Sequence, residues 1–224
     1  MSSKTLSKIY HDPKDPGSLD GVERFLIRSR QLHVPTETQN TIQKYLQSEQ
    51  AYTLHKPARR RFIRNHTYVA GIDAQWQADQ ADMQGIFRTN GEIRYFLTVI
   101  YVFSKFAGAI PVYSKDAKAI TAAITEVLTT ANPRHSRRLQ TDKGIEFFNS
   151  DFEALTKLHN IQHFASDSKQ NAAVVNGYNR TIKTRIWTYL SDRGTVRWVN
   201  VIQNLIDAYN HSRNRSICMA PADV

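Results

Sequence analysis

The sequence predicts an α/β protein, a mixed five-stranded sheet flanked by helices and preceded by a small helical N-terminal domain. Three observations predict it. Two short stretches with helical spacing open the chain. From about residue 69 the pattern turns to β-branched and aromatic runs. Beyond residue 115, runs of strand and helix character alternate.

Residues 1–17 are polar and carry Pro13 and Pro16, which reads as a flexible tail. A first helix is expected from about Leu19 to Leu32, with Ser18 as its N-cap. A second is expected from about Thr36 to Tyr52, where Ile42, Tyr45 and Leu46 lie three and four apart on one stripe. Residues 18–54 therefore form the expected helical domain. Residues 55–68 are an expected basic linker, dense in Lys56, Arg59, Arg60, Arg61 and Arg64. Two short helices before a basic strip suit a DNA reader, and equally a small packing module.

Residues 69–224 form the expected core. Val69–Ile72 leads into a strand around Gln75–Asp79. Tyr95–Val102 and Gly108–Val112 complete an antiparallel meander. A helix over about 117–130, a strand at 138–141, a helix over 150–159 and a strand at 161–164 follow. Two amphipathic helices, about 171–190 and 196–211, close the chain.

Composition narrows the function classes. The chain is 41% hydrophobic and 22% charged, as soluble domains are. Its longest apolar run, Tyr95 to Phe103, is of strand length and far short of the roughly 20 residues that span a bilayer. No membrane partner is expected. A single cysteine, Cys218, permits no internal disulfide and excludes a His/Cys zinc finger, which needs at least two thiolates. The net charge of +10 points to a polyanion such as DNA. The charge is concentrated early, +6 over residues 1–66 against +4 over the remainder.

Three segments carry a family resemblance: Trp76-Gln77-Ala78-Asp79, Leu139-Gln140-Thr141-Asp142-Lys143-Gly144, and Val174-Val175-Asn176-Gly177-Tyr178-Asn179-Arg180. Together with Ala51–Pro57 and the terminal Arg215–Val224, they resemble the RNase H-like DDE core of transposon and retroviral integrases. The likeness is greatest to integrases of large DNA transposons and their domesticated copies.

The resemblance implies metal-dependent strand transfer of element ends into target DNA, with Mg²⁺, or Mn²⁺ in its place, held by two Asp and a Glu. Carried over by motif, Asp79 and Asp142 are the expected metal ligands and catalytic carboxylates. The third catalytic position is Asn176, after 33 residues that follow Asp142. An amide can offer a carbonyl oxygen but no charge. A catalytically impaired copy, a pseudoenzyme with weakened metal binding, is the expectation. Asp82, Glu146 and Asp167 are the nearby acids that would have to substitute.

Two other departures stand beside it. Tyr101 takes the place of the family's usual Asp, and Gly177 lowers helix propensity by about 1 kcal/mol relative to Ala. Arg180 and Lys183 are spaced to share a helix face with Asn176, and with Lys143 and the linker's Lys56, Arg59, Arg60, Arg61 and Arg64 they are expected DNA-phosphate contacts. The alternatives are a non-catalytic domesticated DNA-binding protein and a protein-interaction scaffold. The family implies self-association as a dimer or higher multimer, and nuclear location in a eukaryotic host. Related integrases continue into a further C-terminal domain, so a fragment or truncated copy is expected.

Overall fold

The computed structural model of the chain describes residues 2–34, 38–56, 67–131, 134–165 and 172–224. Two compact units are present: residues 65–180, and residues 1–64 together with 181–224.

The first unit holds the sheet. Strands β1 (Trp76–Asp82), β2 (Tyr95–Tyr101), β3 (Ala107–Val112), β4 (Arg138–Thr141) and β5 (Gln162–Ala165) are arranged in the order β3-β2-β1-β4-β5. The β1–β2 and β2–β3 pairs are antiparallel, and β1–β4 and β4–β5 are parallel. This is the mixed five-stranded sheet read from the sequence. Helices α5 (Ala117–Ala131) and α6 (Ser150–Leu158) supply the crossovers that parallel pairing requires.

Alternation along the strands sorts the two faces. Trp76, Ala78, Leu97, Val99 and Leu139 enter one core with Ile120, Ile124 and Leu128 of α5 and Phe152 of α6. Gln77, Asp79 and Gln140, one residue out of phase, belong to the other face. Tyr101 stacks on Trp76 with ring centroids 4.0 Å apart and planes 2° from parallel. That contact gives the tyrosine a packing role. A 3₁₀ segment (Gln84–Asn90), absent from the sequence reading, follows β1.

The second unit is helical. It contains α1 (Ser2–His11), α2 (Val22–Gln31), α3 (Gln39–Ser48), α4 (Gln50–His55) and α8 (Ile202–Asn210), together with the later turns of α7 (Ala173–Arg193). A helix stands where the sequence suggested a loose tail. Leu6, Ile9 and Tyr10, spaced three and four apart, bury a stripe along α1, and the prolines act only after it has ended. Ser18 does not cap α2. Its hydroxyl donates to the Tyr10 carbonyl at 2.9 Å, and α2 begins after Gly21. The single helix expected to Tyr52 is two, broken by extended backbone at Glu49. Tyr10, Phe25 and Tyr45 form an aromatic cluster, Phe25 and Tyr45 stacked at 5.9 Å. Among the described residues no helix is long and apolar enough to cross a membrane.

Candidate active site

The site begins with register. β1 and β4 run parallel with Gln77 opposite Gln140. Carrying that register two residues on sets Asp79 level with Asp142, just beyond the end of β4. Neighbouring strands lie about 4.8 Å apart, and a step of two keeps a side chain on the same face. The register thus brings the two carboxylates near one another on one face, where the charge of Asp142 acts on Asp79.

Asp79 is half-buried. Its Oδ1 accepts from the Gln80 backbone N–H at 2.8 Å, and its Oδ2 accepts from Asn179 Nδ2 at 2.8 Å. The Thr98 hydroxyl donates to the Asp79 carbonyl at 2.9 Å and ties the strand position to β2. Burial raises the Asp79 carboxyl above the ordinary carboxylate range. The negative charge of Asp142 adds to that rise, which outweighs the opposing hydrogen bonds and the pull of Lys115. Asp142 is exposed, and its Oδ1 accepts from the Gly144 N–H at 3.1 Å.

The first turns of α7 supply the third side of the site. Asn179 reaches Asp79 directly. Asn176 is exposed and lies three residues earlier, one turn along the same helix face. A glutamate at that position would stand on the face that touches Asp79; the amide there brings no charge. The helix runs through Gly177 without interruption.

Among the described residues, no third acid joins the pair. Asp82 accepts from the backbone and side chain of Gln84 at the end of β1. Glu146 folds back beneath Gly144 within its own loop. Among the described residues, neither joins Asp79 and Asp142 in a group of ligand spacing. Asp167 lies outside the described residues. A His11, Glu49 and Asp192 group in the helical unit does have ligand spacing. There His11 Nδ1 lies 2.7 Å from Asp192 and Nε2 3.6 Å from Glu49, so the imidazole already bridges the two acids.

Of the expected DNA contacts, Lys143 and Arg180 are exposed and Lys183 is half-buried on α7. Lys56 is exposed, its ammonium 5.9 Å from the Tyr52 ring centre. Arg59, Arg60, Arg61 and Arg64 lie outside the described residues. Asn179 and Lys115 were not singled out from sequence. The spacing of Asn179 from Asn176 was a usable signal, whereas nothing local marks Lys115.

No family model matches the chain. An uncharacterized transposon-derived protein of Caenorhabditis elegans is 28% identical over 137 residues, 61% of this chain. The chain spans 48% of the length of that relative. Among solved structures, the HTLV-2 integrase catalytic core domain in complex with magnesium, in its trimeric form, matches with a TM-score of 0.58 at 14% identity. That match covers 70% of this chain and 99% of the viral domain. The fold is that of a retroviral integrase catalytic core. The BIV integrase catalytic core domain agrees at a TM-score of 0.53 and 18% identity, over 67% of this chain and 92% of that one. A chain of the simian T-cell lymphotropic virus intasome in complex with PP2A regulatory subunit B56 gamma matches at 0.58 and 15% identity. It covers 94% of this chain and 69% of its own length.

Within this integrase-core fold, the donor set can be tested against a hard divalent cation. Mg²⁺ takes oxygen ligands and keeps several waters, so one or two carboxylates suffice for a weak site. Asp79 and Asp142 supply two oxygen-bearing anions on one face, and burial, with the charge of Asp142 added, raises the Asp79 carboxyl. The residues fit one such ion.

Proposed function

We propose that the chain is a transposon-derived integrase core that retains the DNA-binding scaffold and has lost most of its strand-transfer activity. The observation that carries this reading is the β1–β4 register that brings Asp142, just beyond β4, level with Asp79, with Asn176 one turn from the Asn179 that bonds Asp79. In this reading residues 18–54 serve as the N-terminal helical domain, 55–68 as a basic linker and 69–224 as the core.

Divalent metal, when bound, would neutralise charge and align an in-line attack by a DNA 3′-hydroxyl on a phosphodiester. Asp79 and Asp142 would hold it. Asn179 fixes the Asp79 carboxylate by donating to Oδ2. Asn176 offers a neutral carbonyl oxygen, which weakens the metal site and the catalysis that depends on it. Lys143, Arg180, Lys183, Lys56 and the linker arginines would contact DNA phosphates. Such contacts give affinity that falls steeply with salt and carries no sequence information. The HTLV-2 domain is recorded in dimeric and trimeric forms. Self-association of this chain is proposed by analogy, as is nuclear location in a eukaryotic host.

Asn176 itself favours the second reading, a non-catalytic DNA-binding protein that keeps the fold. A disintegration assay on branched DNA with Mn²⁺, comparing the native chain with Asn176→Glu, separates the two. Strand transfer predicts an inactive native chain and activity in Asn176→Glu. Activity in the native chain would overturn the assignment of Asn176 as the lesion. Salt-dependent DNA binding with neither protein active would leave the non-catalytic reading standing.

A further inference from the structure

Gln77 and Gln140 are buried amides in the middle of the sheet. Burying an amide is costly unless its donors and acceptors are matched. Here Gln140 Oε1 accepts from Gln77 Nε2 at 2.8 Å and from Gln75 Nε2 at 2.8 Å. Gln77 Oε1 in turn accepts from the Val175 backbone N–H at 2.9 Å. The chain of bonds runs from β4, through β1, into the first turn of α7.

The last bond has a specific consequence. The first four N–H groups of an α-helix have no partner within the helix. α7 starts at Ala173, and the preceding Ala172 has no side-chain oxygen with which to cap it. Gln77 provides that oxygen from another element. Its polarity is fixed at both ends, because Val175 can only donate and Gln140 Oε1 can only accept. The three residues linked also stand next to the three site positions. Gln77 is two before Asp79 and Gln140 two before Asp142, on the same faces, while Val175 immediately precedes Asn176.

We infer that Gln77 and Gln140 are positioning residues, an amide ladder that caps α7 from the sheet and holds its Asn176/Asn179 face against the Asp79–Asp142 pair. The inference rests on the reading of that pair as the site. The ladder acts through helix register and needs no contact of its own with DNA or metal.

The test is amide hydrogen exchange on the full chain, comparing the parent with Gln77→Met, Gln77→Glu and Gln140→Met. Methionine keeps length and packing but removes the acceptor. Exchange across residues 173–179 should rise about fivefold in Gln77→Met, as expected for loss of a helix cap, with β2 (95–101) unchanged. Gln140→Met should give a smaller rise over the same residues. Gln77→Glu should return exchange to within about twofold of the parent, because a buried carboxyl held protonated keeps both bonds, its O–H donating to Gln140 Oε1 and its carbonyl oxygen accepting from the Val175 N–H. Unchanged exchange at 173–179, an equal rise in β2, or unfolding of both methionine variants would overturn the inference. Mn²⁺ binding to the parent is read separately. Its failure would sink the metal reading and leave the exchange result intact.

Discussion

Asp20 in the helical unit and Asp79 in the sheet unit are both largely sheltered from water, and they are held in opposite ways. Asp20 Oδ2 accepts from Arg24 at 3.0 Å and from the buried Arg185 at 2.5 Å, while Oδ1 accepts from the Gly21 N–H at 2.7 Å. Burial alone would raise its carboxyl, but the two guanidiniums outweigh that and hold it below the ordinary range. Asp79 receives hydrogen bonds from a backbone N–H and a neutral amide, and a second carboxylate stands near it. Burial and Asp142 push it up. Lys115 offsets only part of the rise. A carboxylate that serves a scaffold is given its counter-charges within the fold. One whose charge is left uncompensated beside another acid marks a place where a cation from outside would be stabilising.

The contrast breaks most visibly at Arg185. Replacing it with Met leaves Asp20 buried with Arg24 as its remaining partner, and should cost about 3 kcal/mol in urea denaturation. A loss below about 1 kcal/mol would show that the ion pair does not hold the helical unit. Asp79→Asn should act in the other direction, removing a charge that burial and Asp142 disfavour and raising the thermal midpoint. A lowered thermal midpoint would mean that Asp79 is structural after all.

Acid titration sharpens the same comparison. The Asp20 carboxyl is lowered in the folded state, so its contribution is whole above the ordinary value of 3.8 and is lost as pH falls through the lower folded value. Below pH 4 the native chain should lose stability more steeply than Asp20→Asn does. Parallel slopes would remove Asp20 from the account. The smallest effect is expected at Gly177. A Cβ there would meet nothing within 4 Å, and the position is helical. Gly177→Ala should therefore add up to about 1 kcal/mol.

Much of the sheet was legible because its signals are local. Tyr95–Tyr101 is a continuous buried run of strand-forming residues, and Asp79 lies within one strand-like run and Asp142 just after another. The first helix was missed because lysines and serines masked the Leu6, Ile9 and Tyr10 stripe. The break at Glu49 depends on one backbone conformation, which the helical spacing around it conceals. The site was legible in its charges and illegible in its fastenings. Gln77 and Gln140 read as ordinary strand polar residues until β1 and β4 are paired. Asp20 finds Arg185 across 165 positions of sequence, where no spacing rule reaches.

The central claim is that Asp79 and Asp142 form a cation site left incomplete by Asn176. Mn²⁺ titration followed by electron paramagnetic resonance tests it most directly, on the native chain, Asp79→Asn and Asn176→Glu. Weak binding in the native chain, lost in Asp79→Asn and tightened at least tenfold in Asn176→Glu, is the expected result. Binding that survives Asp79→Asn, or that Asn176→Glu fails to tighten, would contradict it.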